Sequence, residues 1–158
     1  MPDPIIEATR RVVDDAFDKL REVVGDLPAE ALNWRPAGED DTNSIAVLTT
    51  HALHSTRRLL SFATGQPQQA PRDRVAEFAA DVDGPKPLLR LIDEVAADCT
   101  ATLDRSDVAD WAEMRQLKRS GEETVEMSAA FAIIHAVEHL RGHTDEASLT
   151  RHVWMARL

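Results

Sequence analysis

The stretch "MSAAFAIIHAVEHLRGHTDEASLTRHVWMA", residues 127–156, decides the fold of this chain. It is rich in Ala, Leu and Glu and contains no proline, which is typical of a long helix. Gly142 interrupts it at a cost of about 1 kcal/mol relative to Ala. Three of the six histidines, His135, His139 and His143, follow one another at intervals of four residues. The sequence therefore predicts a final helix that carries a column of histidines.

Three further segments carry apolar residues at the spacing of a helix that buries one face. In the first, Asp3 and Pro4 occupy the positions of an N-cap and a first-turn proline. This helix is predicted to end near Gly25. Its expected inner face consists of Ile5, Val13, Phe17, Leu20 and Val24.

The second segment, "IAVLTTHALHSTRRLLSFA", follows the polar "DTNS", in which Thr42, Asn43 or Ser44 can cap a helix. Its expected inner stripe consists of Ile45, Leu48, Ala52, Leu59 and Ala63. The third segment has its apolar residues at spacings of three or four, at Leu88, Ile92, Val95, Cys99 and Leu103. Both patterns predict helices.

The segments between these helices carry loop signals. Residues 26–43 hold two prolines, a glycine and an acidic run, with room for one helical turn at "PAEAL". Residues 65–87 are rich in Gln, Pro and Gly and are predicted to cross the surface. Residues 104–126 contain a polar "KRSGEE" turn and predict either a small hairpin or an irregular loop.

Four helices joined by long crossover loops in a chain of 158 residues predict an all-α four-helix bundle. A chain of this length buries one core, so we expect a single domain over residues 1–158. No apolar run approaches the roughly 20 residues needed to cross a bilayer. The charged N-terminal region is also unlike a signal peptide. We therefore expect a cytoplasmic protein with no membrane partner.

The composition restricts the partners and the chemistry. The net charge of −10 disfavours nucleic acid and anionic membranes, because both attract clustered Lys and Arg. Cys99 is the only cysteine, so an internal disulfide or a zinc site of several thiolates cannot form. The sequence contains no Gly-rich phosphate loop before a helix and no GxSxG elbow. A bound metal would have to be held by His and carboxylate groups.

The histidine column can supply two ligands to one metal ion. Residues four apart on a helix lie about 6 Å apart on one face, the arrangement in which a helix offers two imidazoles to zinc. His135 and His143 are about 12 Å apart along the axis, so all three cannot easily share one ion. His51 lies beside the inner stripe of the second helix and could face the column across the core. Spacing alone leaves open whether these residues bind metal or are ordinary helical histidines.

Two stretches about ninety residues apart, "NSIAVLTTHALHS" and "IIHAVEHLRGHTDEASLTRHVW", resemble the DinB-like (YfiT-like) family of metalloenzymes. The "LNWRP" shortly before the second helix is similar to that family as well. The resemblance covers essentially the whole chain. It implies a four-helix bundle, often a homodimer, with a divalent metal on one histidine of the second helix and two of the fourth.

By this resemblance the metal ligands fall on His51, His139 and His143. Zinc or nickel is the expected ion, with manganese or iron as alternatives. The family usually continues with Gly-Gln two residues after the last ligand, where this chain has Asp145 and Glu146. This departure changes the charge next to the site and leaves substrate handling open.

Other residues of the final helix have alternative roles. His135 would lie behind the ligands or in a pocket wall, and Glu138 could orient a ligating imidazole or lie on an exposed face. Arg141 and Arg151 could receive an anionic substrate or be solvated surface residues. Trp154 is expected to be exposed, where it would suit a dimer contact. The alternative is that it packs between helices.

The resemblance also suggests a reaction, because relatives include transferases and isomerases that use thiols such as mycothiol or bacillithiol. It implies a metal-dependent S-transferase, in which the metal activates a small-molecule thiol toward an electrophilic substrate. A metal-dependent hydrolase would use the same ligands, and a non-catalytic metal-binding bundle is a third alternative. A di-iron carboxylate bundle needs Glu-x-x-His on two helices, which this chain lacks.

Overall fold

The computed structural model describes residues 3–38, 41–68, 72–118 and 123–157. Within these ranges four long helices are present, namely α1 (Pro4–Val24), α3 (Ile45–Ala63), α5 (Pro85–Asp104) and α6 (Ala129–Met155). Two short helices, α2 (Ala29–Asn33) and α4 (Arg74–Phe78), and two strands, β1 (Met114–Lys118) and β2 (Thr124–Ser128), lie in the connections.

The four long helices form a bundle around one apolar core. α1 and α3 each pack against both α5 and α6, and the contact between α3 and α6 is the most extensive. The core contains fully buried side chains from all four helices, among them Phe17, Leu20, Leu48, Leu53, Ile92 and Leu140. The predicted four-helix bundle with long crossovers is confirmed. No helix in the described ranges has the length and apolar character that a membrane span requires.

Local sequence signals set the starts of three long helices. The side chains of Asp3, Ser44 and Ser128 each accept hydrogen bonds from backbone N–H groups in the first turn of α1, α3 and α6. These N–H groups have no partner within their own helices, so a side-chain acceptor at the N-cap stabilises each start. Of the three caps that the sequence allowed for α3, the chain uses Ser44.

The predicted inner faces are correct except at one residue of α1. All five apolar residues predicted for α3 and all five predicted for α5 are buried. In α1, Ile5 is 37% exposed, and Ile6 occupies the buried position instead. A helix turns about 100° per residue, which places Ile6 within about 20° of Val13 and Ile5 about 80° away from it. The prediction that Ile5 faces the core is therefore wrong.

Residues 104–126, for which the sequence left two alternatives, include the first strand of a hairpin. β1 and β2 pair antiparallel, with Met114 opposite Ser128 and Lys118 opposite Thr124, and the "RSGE" at residues 119–122 lies outside the described residues. Arg115 of β1 donates to the backbone carbonyls of Phe62 and Ala63 at the end of α3. The guanidinium thereby satisfies helix carbonyls that have no partner within α3 and fastens the hairpin to the bundle.

The sequence predicted that the connection between α3 and α5 crosses the surface. In the structure, part of this connection packs against the bundle instead. α4 packs against α3, and the side chain of Glu77 in this short helix is buried. Asp73 caps α4 by accepting from the Ala76 N–H. This five-residue helix brings a carboxylate against the bundle.

Two leucines of α6 test the packing of the bundle. We expect Leu140→Ala, at a fully buried position, to lower the free energy of unfolding by about 2 to 5 kcal/mol, because it removes core contacts and leaves a cavity. Leu149→Ala on the same helix changes a side chain that is 63% exposed and should cost no more than about 0.5 kcal/mol. Urea denaturation measures both values, and equal losses would contradict this arrangement of α6.

Candidate metal centre

The packing of α3 against α6 brings three histidines together. His51 projects from the middle of α3 and is 5% exposed, while His139 and His143 lie one turn apart on α6. One ring nitrogen from each of the three lies within 4.8 Å of the other two. The structure thus brings together the three residues that the family resemblance implies as metal ligands.

The spacing and chemistry of these nitrogens fit a metal ion. The Nε2 atoms of His51 and His139 are 3.2 Å apart. Two ligands of a tetrahedral zinc with Zn–N bonds of 2.0 to 2.1 Å lie about 3.3 to 3.4 Å from each other. The His139 Nδ1 atom is buried and has no hydrogen-bond partner among the described residues. The three imidazoles could therefore hold one divalent ion with small side-chain movements.

A buried carboxylate fixes the tautomer of His51. The Glu77 Oε2 atom lies 3.0 Å from His51 Nδ1, and Arg72 donates to both oxygens of the same carboxylate at 2.8 Å. Burial alone would raise the pKa of Glu77, but the hydrogen bonds from His51 and Arg72 outweigh it and lower this pKa to about 2. An ionised Glu77 accepts, so His51 carries its proton on Nδ1 and directs the lone pair of Nε2 toward the other histidines.

Arg72 reaches His51 as well, but this contact is not a hydrogen bond. Its Nη2 atom lies 3.1 Å from His51 Nδ1. Both nitrogens carry protons once Nδ1 donates to Glu77, and neither can accept. The closeness follows from the position of Glu77, which both groups bind. Arg72 thereby holds the carboxylate in place.

The departure from the family pattern at residues 145 and 146 affects the third histidine. Asp145 and Glu146 are both exposed, and Glu146 Oε2 lies 3.1 Å from His143 Nδ1. The Glu146 carboxylate can accept the Nδ1 proton and leave the Nε2 atom of His143 unprotonated. His51 and His143 are therefore each oriented by a carboxylate, a common arrangement behind metal-ligating histidines.

His139 lies at the centre of the cluster and is neutral near pH 7. Burial is the main cause of its low pKa, and the neighbouring His143, His51 and His135 add to it. Together they lower the pKa of His139 to about 3. A neutral imidazole is the form that binds a metal ion, so His139 does not have to lose a proton first.

The two residues proposed to support the ligands lie apart from the three-histidine cluster. His135 lines the adjoining cavity, and its ring centroid is 5.7 Å from that of His139. Its Nδ1 atom lies 3.3 Å from Glu138, whose side chain is 72% exposed. Glu138 therefore contacts His135 and does not orient any of the three clustered histidines. Glu77 has that role for His51 instead.

Three other residues of α6 contact other parts of the bundle and lie outside the three-histidine group. Arg141 pairs with Asp15, and Arg151 binds the Val23 carbonyl and the carboxylate of Asp26, so both are surface residues outside the site. Trp154, in the last turn of α6, is buried, and its ring contacts the ring of Trp34. The prediction that Trp154 is exposed is wrong.

Sequence reasoning missed Arg72 and Glu77. Both lie in the segment that was predicted to cross the surface. The available signal was an acidic residue, Asp73, two positions before the short apolar patch at residues 75–80, which is a pattern for a capped helical turn. That signal predicts α4 but does not predict that α4 turns Glu77 toward His51.

A cavity of about 540 Å³ opens beside the cluster. His51 and His139 form part of its wall together with the side chains of Ser55, Arg58, Arg74 and His135. Its size lies within the range of pockets that bind small molecules. His51 and His139 therefore face a space that a small ligand can enter.

These features define a helical bundle with a three-histidine group at the edge of a cavity. The family model of the DinB superfamily matches residues 13–147, and the chain belongs to this metal-binding superfamily. Its fold is similar to the "Crystal structure of the conserved protein of locus from Enterococcus faecalis", with a TM-score of 0.69 and 14% sequence identity. That alignment covers 92% of this chain and 94% of the other. No curated protein matches the chain significantly.

The two candidate carboxylates can be compared directly. We expect Glu77→Gln to weaken zinc binding about 10- to 100-fold, because it removes the charge that holds the proton on His51 Nδ1. Glu138→Gln, also on a helix but exposed, should leave the affinity unchanged. Competition against a chelator measures both affinities, and circular dichroism checks that each variant is folded. Equal effects of the two substitutions would contradict the role of Glu77.

Proposed function

We propose that this chain is a metal-dependent enzyme in which His51, His139 and His143 hold a divalent ion and that it catalyses a thiol-dependent S-transfer. The convergence of three ring nitrogens beside a cavity is the observation that carries the proposal. A divalent ion would act there as a Lewis acid and lower the pKa of a bound thiol or water.

The cavity favours a catalytic over a purely structural site. Structural zinc sites are closed by four protein ligands, whereas catalytic sites use three and leave a position for substrate. Among the described residues, no fourth His, Cys, Asp or Glu joins the three-histidine group. Glu77 and Glu146 approach the Nδ1 atoms and hold the rings, which leaves the side toward the cavity for a ligand.

The chain's own cysteine is unsuited to be the nucleophile of such a transfer. Cys99 is buried in α5, and burial raises the pKa of its thiol to about 12. A thiol with this pKa carries almost no thiolate at neutral pH. The proposal therefore assigns the nucleophile to a small-molecule thiol that enters the cavity together with an electrophilic substrate.

The donor set bears on the identity of the ion. Neutral imidazoles suit zinc, nickel and iron, while manganese prefers oxygen ligands. We propose zinc or nickel, with iron and manganese as the alternatives. The cytoplasmic location and the single domain over residues 1–158 stay predictions.

A homodimer is a separate part of the proposal. An apolar groove between α1 and α6 is lined by Ile5, Ile133, Ile134 and Val137, and Ile134 is 66% exposed. A second copy that covers this groove would remove these side chains from water.

Sedimentation velocity tests this contact. Ile134→Lys should yield monomers. Val75→Lys changes an exposed residue of α4 and should leave the dimer intact. A parent protein that is monomeric would contradict the proposed homodimer.

Metal content and thiol binding test the function in one series. We expect one equivalent of a divalent metal in the parent and a loss of that metal in His139→Ala, because two imidazoles bind less tightly than three. His152→Ala, an exposed histidine near the end of the same helix, should keep it. Mass spectrometry measures the metal, and circular dichroism confirms that the variants are folded.

The thiol is then added to cobalt-substituted protein. We expect the near-ultraviolet charge-transfer absorption typical of sulfur coordination, present in the parent and absent in His139→Ala. Metal binding without this absorption, accompanied by hydrolysis of ester or amide substrates, would replace the transferase with a hydrolase. A metal-loaded protein that shows neither would be a non-catalytic bundle. A parent that fails to bind zinc, nickel, iron and manganese would contradict the whole proposal.

A further inference from the structure

We propose that Arg58 and Arg74 bind the carboxylate or phosphate group of a small molecule in the cavity beside the three histidines. The inference deepens the proposed function and rests on it, since it assigns a chemical group to the substrate or cosubstrate of that site. The binding residues themselves are assigned from charge and position in the cavity wall.

Helix geometry places Arg58 on the same face as His51. His51, Ser55 and Arg58 follow one another in α3 at spacings of four and three residues, so they lie along one side of the helix. All three line the cavity. Arg74 reaches the cavity from α4, where its guanidinium lies 5.0 Å from the ring centroid of Phe78. A ligand between these elements would contact the cluster and both arginines.

The charge of the cavity wall is not balanced by the described carboxylates. Arg72 is neutralised by Glu77, which accepts from it at both oxygens. Arg58 and Arg74 form no ion pair within the described part of the chain, and the lining holds a single carboxylate, that of Glu123. In a protein of net charge −10, two such guanidinium groups beside the same cavity indicate a site for an anion.

The environment of Arg58 supports this assignment. Its Nη2 atom donates to the backbone carbonyl of Lys118, while Nε is buried without a hydrogen-bond partner and Nη1 has none among the described residues. Burial lowers the pKa of Arg58, and the charge of Arg72 adds to the effect. A partly buried guanidinium that is short of acceptors gains from an oxyanion, which supplies both charge and hydrogen-bond acceptors.

The size of the cavity restricts the ligand to a small molecule. A volume of about 540 Å³ suits a metabolite-sized compound. The acidic surface as a whole repels long polyanions, whereas one carboxylate or phosphate group can be attracted locally into a pocket of opposite charge. The oxyanion can be a carboxylate or a phosphate group, and using one probe of each kind distinguishes them.

Isothermal titration calorimetry with succinate and with inorganic phosphate tests the inference on the zinc-loaded and the metal-free protein. At least one probe should bind the parent in both forms. Arg58→Gln and Arg74→Gln should each weaken that binding about tenfold or more, since each removes a charged donor. Arg90→Gln, an exposed arginine of α5, serves as the matched control and should change nothing. Arg74 is exposed, so its substitution remains informative if Arg58→Gln is unfolded.

Zinc content is measured on the same samples, which separates the two claims. Binding of zinc without binding of either anion would overturn the arginine site and leave the proposed metal site standing. Anion binding that depends on Arg58 in a protein without affinity for zinc would support the arginine site and overturn the proposed function. Anion binding that disappears on metal removal and ignores both substitutions would show that the metal alone holds the anion, against this inference.

Discussion

The packing of α3 against α6 is the contact on which the candidate site depends. The buried face of α6 consists largely of small side chains, including Ala132, Ala136, Thr144 and Ala147. The distance between packed helices depends on the side chains at their contact, so small residues allow α6 to approach its neighbours closely. Imidazoles from the two helices then come within 3.2 Å of each other. A wider separation would leave His139 and His143 without the third imidazole, that of His51.

Burial of polar groups in this site is tolerated because most of them are paired. His51, Glu77 and Arg72 form a connected set in which the carboxylate accepts from both partners. A buried carboxylate without such partners would be strongly unfavourable. Among the described residues, four buried side-chain atoms lack a hydrogen-bond partner: His139 Nδ1 and Arg58 Nε, in residues that line the cavity, and the hydroxyl groups of Thr49 and Thr56 in α3. Two of these four atoms therefore lie where a metal and a ligand would be bound.

Apart from the grouping of His51 with His139 and His143, which the family resemblance implies, the features that could be predicted from the sequence are local ones. Helix spacing, N-caps and the four-residue interval between His139 and His143 depend on residues within one or two turns, and the structure has them as predicted. The contact of Glu138 with His135 is local too, since residues three apart on a helix are neighbours. This local pairing explains why Glu138 does not serve the other histidines.

The features that escaped prediction depend on contacts between distant segments. Glu77 is 26 residues from His51, in a short helix whose position is set by its packing on α3. Trp154 is buried because Trp34, far away in sequence, packs against it. The unbalanced charge of Arg58 and Arg74 is visible only once the cavity that they share is known. Nothing in the spacing of residues along the chain carries this information.

X-ray absorption spectroscopy at the zinc edge is the most direct test of a three-histidine site that opens to a cavity. The account predicts three imidazole nitrogens at about 2.0 to 2.1 Å and at least one light atom that does not come from histidine. Addition of a thiol should replace that atom with sulfur at about 2.3 Å. A shell closed by four protein ligands, or one with two imidazoles or fewer, would contradict it.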